Sequence, residues 1–94
     1  MSATMRVHGS VVVGARSMFA VRGVVVAGEL AVGQRVTSPE GFDATVFSIE
    51  RTLRDPGGGT DNTAIIFRYA NAAQLARWRA LVPAGTELVL ADTR

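Results

Sequence analysis

The sequence predicts an all-β domain: six short strands closed into a small barrel, with one short helix before the last strand. Three observations predict it. Valine comes in two triplets, Val11–Val13 and Val24–Val26, and β-branched side chains fit a pleated surface better than a helix. Turn signals recur about every 8–12 residues, the spacing of a sandwich or barrel. Gly23, Gly28 and Gly33 stand five residues apart around two short apolar runs, the pattern of a chain that turns tightly. Closure also removes the exposed edges that a Val-rich sheet would otherwise present.

The elements follow in order. Met1 to Thr4 reads as a loose terminus, and Arg6 to Gly14 as the first strand. Gly14-Ala15-Arg16-Ser17 turns the chain into a second strand, Met18 to Val26, on which Phe19, Val21, Gly23 and Val25 share one face. Leu30-Ala31-Val32 is a brief element between the turns at Gly28-Glu29 and Gly33-Gln34. Arg35-Val36-Thr37 follows, then the turn Ser38-Pro39-Glu40-Gly41. Asp43 to Arg51 is the next strand, anchored by Val46, Phe47 and Ile49. Asp55 to Asn62, with its glycine run, has the composition of a flexible loop. Thr63 to Tyr69 is a strand with Ile65 and Phe67 opposing Ile66 and Arg68. Asn71-Ala72-Ala73-Gln74 reads as a capping box. It opens a short helix carrying Leu75 and Trp78 on one face, stopped by Pro83. Glu87 to Ala91 is the last strand.

Ninety-four residues make one domain, residues 1–94. Apolar residues at 48% and charged residues at 19% describe a globular chain. The isoelectric point of about 10.4 overstates its basicity. The net charge is only +2, and all ten basic residues are arginine. Without lysine almost nothing titrates between neutrality and the arginine range, so strong nucleic-acid binding does not follow from that figure. The chain has no cysteine, which excludes disulfides and thiol chemistry. No apolar run approaches the roughly 18 residues of a membrane span, and no signal peptide is visible. The expectation is a soluble cytoplasmic protein.

No constellation supports catalysis, and the expectation is not an enzyme. His8 is the single histidine and has no companions at metal-ligand spacing, so neither a metal nor another cofactor is expected. Ser10, Ser17 and Ser48 lack a nucleophile-elbow context. Asp55 and Asp61 bracket a loop, a poor place for paired acid and base. Gly57-Gly58-Gly59-Thr60 has the backbone donors for an anion but neither a lysine nor a following helix.

The stretch Gly23, Val25, Gly28, Leu30, Gly33 and Val36 fills the pattern G-x-V-x-x-G-x-I/L-x-x-G-x-x-V. In this it resembles the second, β-barrel domain of elongation factor Tu and related translation GTPases. Three further pieces are similar in the same order: Val46-Phe47-Ser48-Ile49-Glu50, Asp61-Asn62-Thr63-Ala64-Ile65-Ile66-Phe67-Arg68, and Gly85-Thr86-Glu87-Leu88-Val89-Leu90-Ala91. With the strand that leads into Gly23, the resemblance runs over about residues 18–91. The resemblance implies a translation-factor barrel without its GTPase domain. The phosphate-binding motif G-x-x-x-x-G-K-S/T cannot occur in a chain without lysine, so no GTP binding is expected of it.

In that family the barrel helps to hold the aminoacylated 3′ end of tRNA. A Glu and an Arg three residues later face the terminal adenosine. Glu50 matches the Glu; the Arg position is Leu53, flanked by Arg51 and Arg54. The resemblance thus implies Glu50, Arg51 and Arg54 as an RNA-binding set, set against a solvated strand end. Arg77-Trp78-Arg79 is a candidate protein-binding set, since Trp and Arg are enriched at hot spots. A base could also stack on the indole, or Trp78 could close the barrel end as core. Leu53 and the low net charge favour a non-catalytic protein-interaction or accessory module. The alternative is a translation-linked RNA or tRNA-end binder. RNA binding predicts Arg22, Arg51, Arg54 and Arg68 on one face; protein binding predicts an exposed apolar patch and allows self-association.

Overall fold

The computed structural model describes residues 2–52 and 62–92. Among them are six strands and one α-helix: β1 Ser2–Val13, β2 Met18–Gly28, β3 Arg35–Ser38, β4 Ser48–Thr52, β5 Asn62–Arg68, α1 Ala72–Leu81 and β6 Glu87–Ala91. A single 3-10 turn, Gly14–Arg16, joins β1 to β2. All strand pairs are antiparallel, in the order β3-β6-β1-β2-β5-β4.

β1 begins four residues before the expected start. Ser2 to Arg6 pairs with β6 from Ala91 to Glu87, because Ala3 and Met5 bury their side chains in the core. Beyond Val7 the strand pairs with β2 alone. Two register shifts bend this long hairpin. One leaves His8 as an extra residue between Val7 and Gly9; the other leaves Val26 extra opposite Thr4 and Met5. Bulges of this kind increase local twist, and the hairpin can then serve both β6 and β5.

The expected closed barrel is not what forms. The ladder is open, with β3 at one edge and β4 at the other. The irregular segment 42–47 spans between them. Val36 N–H donates to Ala44 C=O at 2.9 Å, Gly33 N–H to Val46 C=O at 3.0 Å, and Val46 N–H to Gln34 C=O at 2.8 Å. One residue later the partner changes: Phe47 N–H donates to Ile66 C=O of β5 at 2.9 Å. The strand expected over Asp43 to Arg51 is therefore divided. Its first half keeps only an isolated bridge, Arg35 to Thr45. A segment that crosses from one edge to the other cannot hold a continuous ladder with either.

The core lies on one face of the sheet. β1 contributes Met5 and Val7, β2 Phe19 and Val21, β5 Ile65 and Phe67, and β6 Leu88 and Leu90, all fully buried. Phe42, Ala44 and Val46 cover it from the crossing segment. Helix α1 closes it with Trp78. Its capping box forms in shifted form: Asn71 Oδ1 accepts from Gln74 N–H at 2.8 Å, while Gln74 Oε1 accepts from Ala70 N–H at 2.7 Å, one residue before the cap. Leu30-Ala31-Val32 forms no regular element. Among the described residues no helix is long and apolar enough to cross a membrane.

Candidate binding face

The period of two that aims Phe19 and Val21 inward aims Met18, Ala20 and Arg22 outward. Register extends that outward face across four strands. One row is Gly9, Arg22, Ala64 and Glu50; the next is Val11, Ala20, Ile66 and Ser48; the third is Val13, Met18 and Arg68. Across the face runs a groove of about 590 Å³, with Met18, Ala20, Ala64 and Ile66 on its floor and Val13, Phe47, Ser48, Glu50, Arg16 and Arg22 around it. Val11 is 49% exposed, Val13 40% and Phe47 46%.

Phe47 corrects an expectation. Val46 is buried and Ile49 packs partly against the core, as expected of anchors, but Phe47 projects to solvent. Alternation from the buried Val46 sends Phe47 outward, and because Ser48 is outward as well the alternation breaks between these two residues, where the chain passes from the crossing segment into β4. The guanidinium carbon of Arg68 lies 5.2 Å from the centroid of the Phe47 ring, within cation–π range. This pair forms a ridge. On its other side is a smaller cleft of about 360 Å³, reached by Asp43, Thr45, Gln74 and Trp78.

Of the residues singled out in the sequence, Glu50 is exposed at the end of the first row, on the groove wall. Arg51 pairs through its backbone with Thr63; Arg54 lies outside the described residues, as do Asp55, Asp61 and Gly57 to Thr60. Arg22 and Arg68 do share one face. Arg77 and Arg79 are exposed on α1, whereas Trp78 between them is 1% exposed. Its indole stacks on Phe42 and touches Phe19 and Phe67 beneath the sheet. It therefore offers no face to a base or a partner, and it sits on the opposite side of the sheet from Glu50. His8 is exposed on its bulge. Among the described residues no three His, Asp or Glu gather where they could hold a metal ion.

The residues that the sequence reading passed over are Val11, Val13, Met18 and Phe47. Strand parity carried the signal for Met18 alone: alternation from Phe19 sends Met18 and Ala20 outward, whereas alternation from the buried Met5 and Val7 would send Val11 and Val13 inward, and the bulge at His8 reverses it. Comparison with known proteins finds no matching family model, no matching curated protein and no matching solved structure.

Proposed function

We propose that the chain is a non-catalytic binding module whose protein partner docks on the outward face of β1, β2, β5 and β4. The observation that carries this reading is the continuous apolar strip of Val11, Val13, Met18, Ala20, Ile66 and Phe47, rimmed by arginines. Apolar centres with polar rims are the anatomy of protein interfaces, and a contiguous exposed apolar patch marks an interaction site. Trp78 is packed into the core and reaches only the smaller cleft beyond the Phe47–Arg68 ridge, so in this reading the sheet, not α1, meets the partner.

The resemblance to the second domain of the translation factors belongs to the same proposal. The chain would be a relative of that barrel with an open ladder and no GTPase domain, used as an accessory module. One observation favours the RNA alternative: Glu50, the match to the adenosine-facing Glu, stands on the groove wall in the same row as Arg22.

A photoreactive residue placed at Val11 or Phe47, compared with one at Arg79, tests the proposal in cells that express the protein natively. Crosslinks to protein from the two groove positions, absent from position 79, support it. Crosslinks to RNA from those positions select the alternative, and equal labelling from all three positions removes the groove as the binding face.

A further inference from the structure

We infer that the groove takes an acidic polypeptide segment carrying apolar anchor side chains. The inference rests on the protein-docking reading above and adds the partner's chemistry. The floor, Met18, Ala20 and Ile66, has no polar side-chain group, so it suits aliphatic or aromatic anchors. Among the described residues the charges around it are unequal: Arg16 and Arg22 border the groove, Arg68 stands on the ridge above Phe47, and the opposing acid is Glu50. Arg22 reaches across Gly9, where a Cβ would sit 3.6 Å from its Nη2, so its guanidinium overhangs the β1 side of the face. Guanidinium groups hold carboxylates in paired, planar hydrogen bonds.

The same inequality argues against a second copy of this chain. A two-fold interface sets a patch against itself, which would crowd arginine onto arginine around one groove. Like charges facing each other suppress association. RNA fits less well for a different reason. Phosphates gain nothing from an aliphatic floor, Glu50 repels them, and the one aromatic ring among the described residues of the face has Arg68 over it, leaving little platform for stacking bases.

The role of Glu50 separates the alternatives by sign. If the groove holds an acidic segment, Glu50 opposes it, and Glu50→Gln tightens binding. If the groove holds a tRNA end through Glu50, the same change loosens it. The full chain is panned against a displayed library of random short peptides, with the Val13→Glu variant as counter-selection. Position 13 is exposed, so this variant keeps its fold while placing a carboxylate on the groove wall. Recovered peptides and a CCA-ended RNA are then measured by fluorescence anisotropy. The expected result is peptides rich in Asp and Glu around apolar residues. Their binding weakens about tenfold or more with Arg22→Glu or Arg68→Glu and tightens with Glu50→Gln. Peptides that discriminate against Val13→Glu but are neutral or basic, or indifferent to these charges, overturn the inference and leave protein docking standing. If no peptide discriminates against Val13→Glu, both fall. RNA binding loosened by Glu50→Gln then reassigns the groove to the nucleic-acid reading.

Discussion

The Trp78 indole lies flat on the Phe42 ring, with centroids 5.1 Å apart and planes 11° from parallel. This stack ties α1 to the segment that crosses between the two sheet edges. Phe67 meets both rings edge-on, at 5.2 Å from Phe42 and 6.2 Å from Trp78, and Phe19 completes the cluster. The helix has little amphipathic pattern of its own, and Trp78 is its one fully buried side chain. Leu75 and Leu81 pack partly against the same core, and Trp78 is the main anchor of the helix.

Trp78→Ala is expected to cost about 3–5 kcal/mol, the range for deleting a large buried aromatic. Trp78→Phe should cost much less than its lost volume suggests. The buried Nε1 of Trp78 has no hydrogen-bond partner among the described residues, and an unsatisfied buried donor carries its own penalty of roughly 1–3 kcal/mol, which phenylalanine removes. Urea denaturation followed by far-ultraviolet circular dichroism measures both. A loss for Trp78→Phe as large as its lost volume requires would show that the indole N–H is satisfied in solution.

Gln34 organises the stretch that forms no regular element. It is 2% exposed. Its Oε1 accepts from Ala31 N–H at 2.9 Å, and its Nε2 donates to Glu29 C=O at 3.0 Å and, more weakly, toward Asp92 Oδ1 at 3.5 Å. Gln34→Met keeps the bulk and leaves two backbone groups without those partners, an expected loss of about 2 kcal/mol. Gln34→Glu should be worse at neutral pH, because it cannot donate to Glu29 C=O and sets a buried carboxylate near Asp92. Burial and that neighbour raise the new carboxyl's folded-state pKa above its unfolded value. The folded state then binds protons more readily, so the variant regains stability as pH falls. A pH series of denaturation midpoints for the two variants checks the sign; parallel curves would refute it.

Two glycines of the five-residue pattern are held for different reasons, and substitution separates them. A Cβ at Gly23 would lie 1.9 Å from Arg6 C=O oxygen, inside the backbone of the neighbouring strand. Gly33 has open space around it but sits at φ +95°. Gly33→Ala should therefore cost only the conformational penalty, about 1–2 kcal/mol, while Gly23→Ala must displace β1 from β2 and should prevent folding or cost several times more. Comparable losses would mean that the β1–β2 hairpin yields at this point.

What was legible in the sequence is what a period of two encodes. Phe19 and Val21, Ile65 and Phe67, Leu88 and Leu90 all fall on the core side as alternation requires. The Asn71 cap and the turn before β2 were equally readable, because the groups that satisfy them are within a few residues. Three features were not. The crossing segment 42–47 follows from where two edges lie in space, and no local pattern says that Val46 bonds Gly33 and Gln34 just before β3 while Phe47 bonds β5. Gln34 draws its importance from backbone groups at Ala31 and Glu29 that only a particular turn brings to it. The binding face joins Val13 to Phe47, residues whose proximity depends on the strand order β1-β2-β5-β4, which alternation leaves open.

Phe47 and Phe67 give the last test, since they are the same residue type on opposite sides of the sheet. Phe67 is fully buried among Phe42 and Trp78, and Phe67→Ala should cost about 3–5 kcal/mol. Phe47 is half exposed and held mainly by Arg68 across its ring. An exposed cation–π contact is worth about 0.5–1 kcal/mol, so Phe47→Ala should cost about 1 kcal/mol. Arg68→Ala should remove the same contact, and the double variant should then lose less than the two single losses together. A double-mutant cycle by urea denaturation measures the coupling. A coupling energy of zero would mean that the pair does not form in solution, and a loss at Phe47 as large as at Phe67 would place its ring in the core. With the small loss expected, residue 47 can be changed without unfolding the domain. Any loss of partner binding in Phe47→Ala then reports on the face itself.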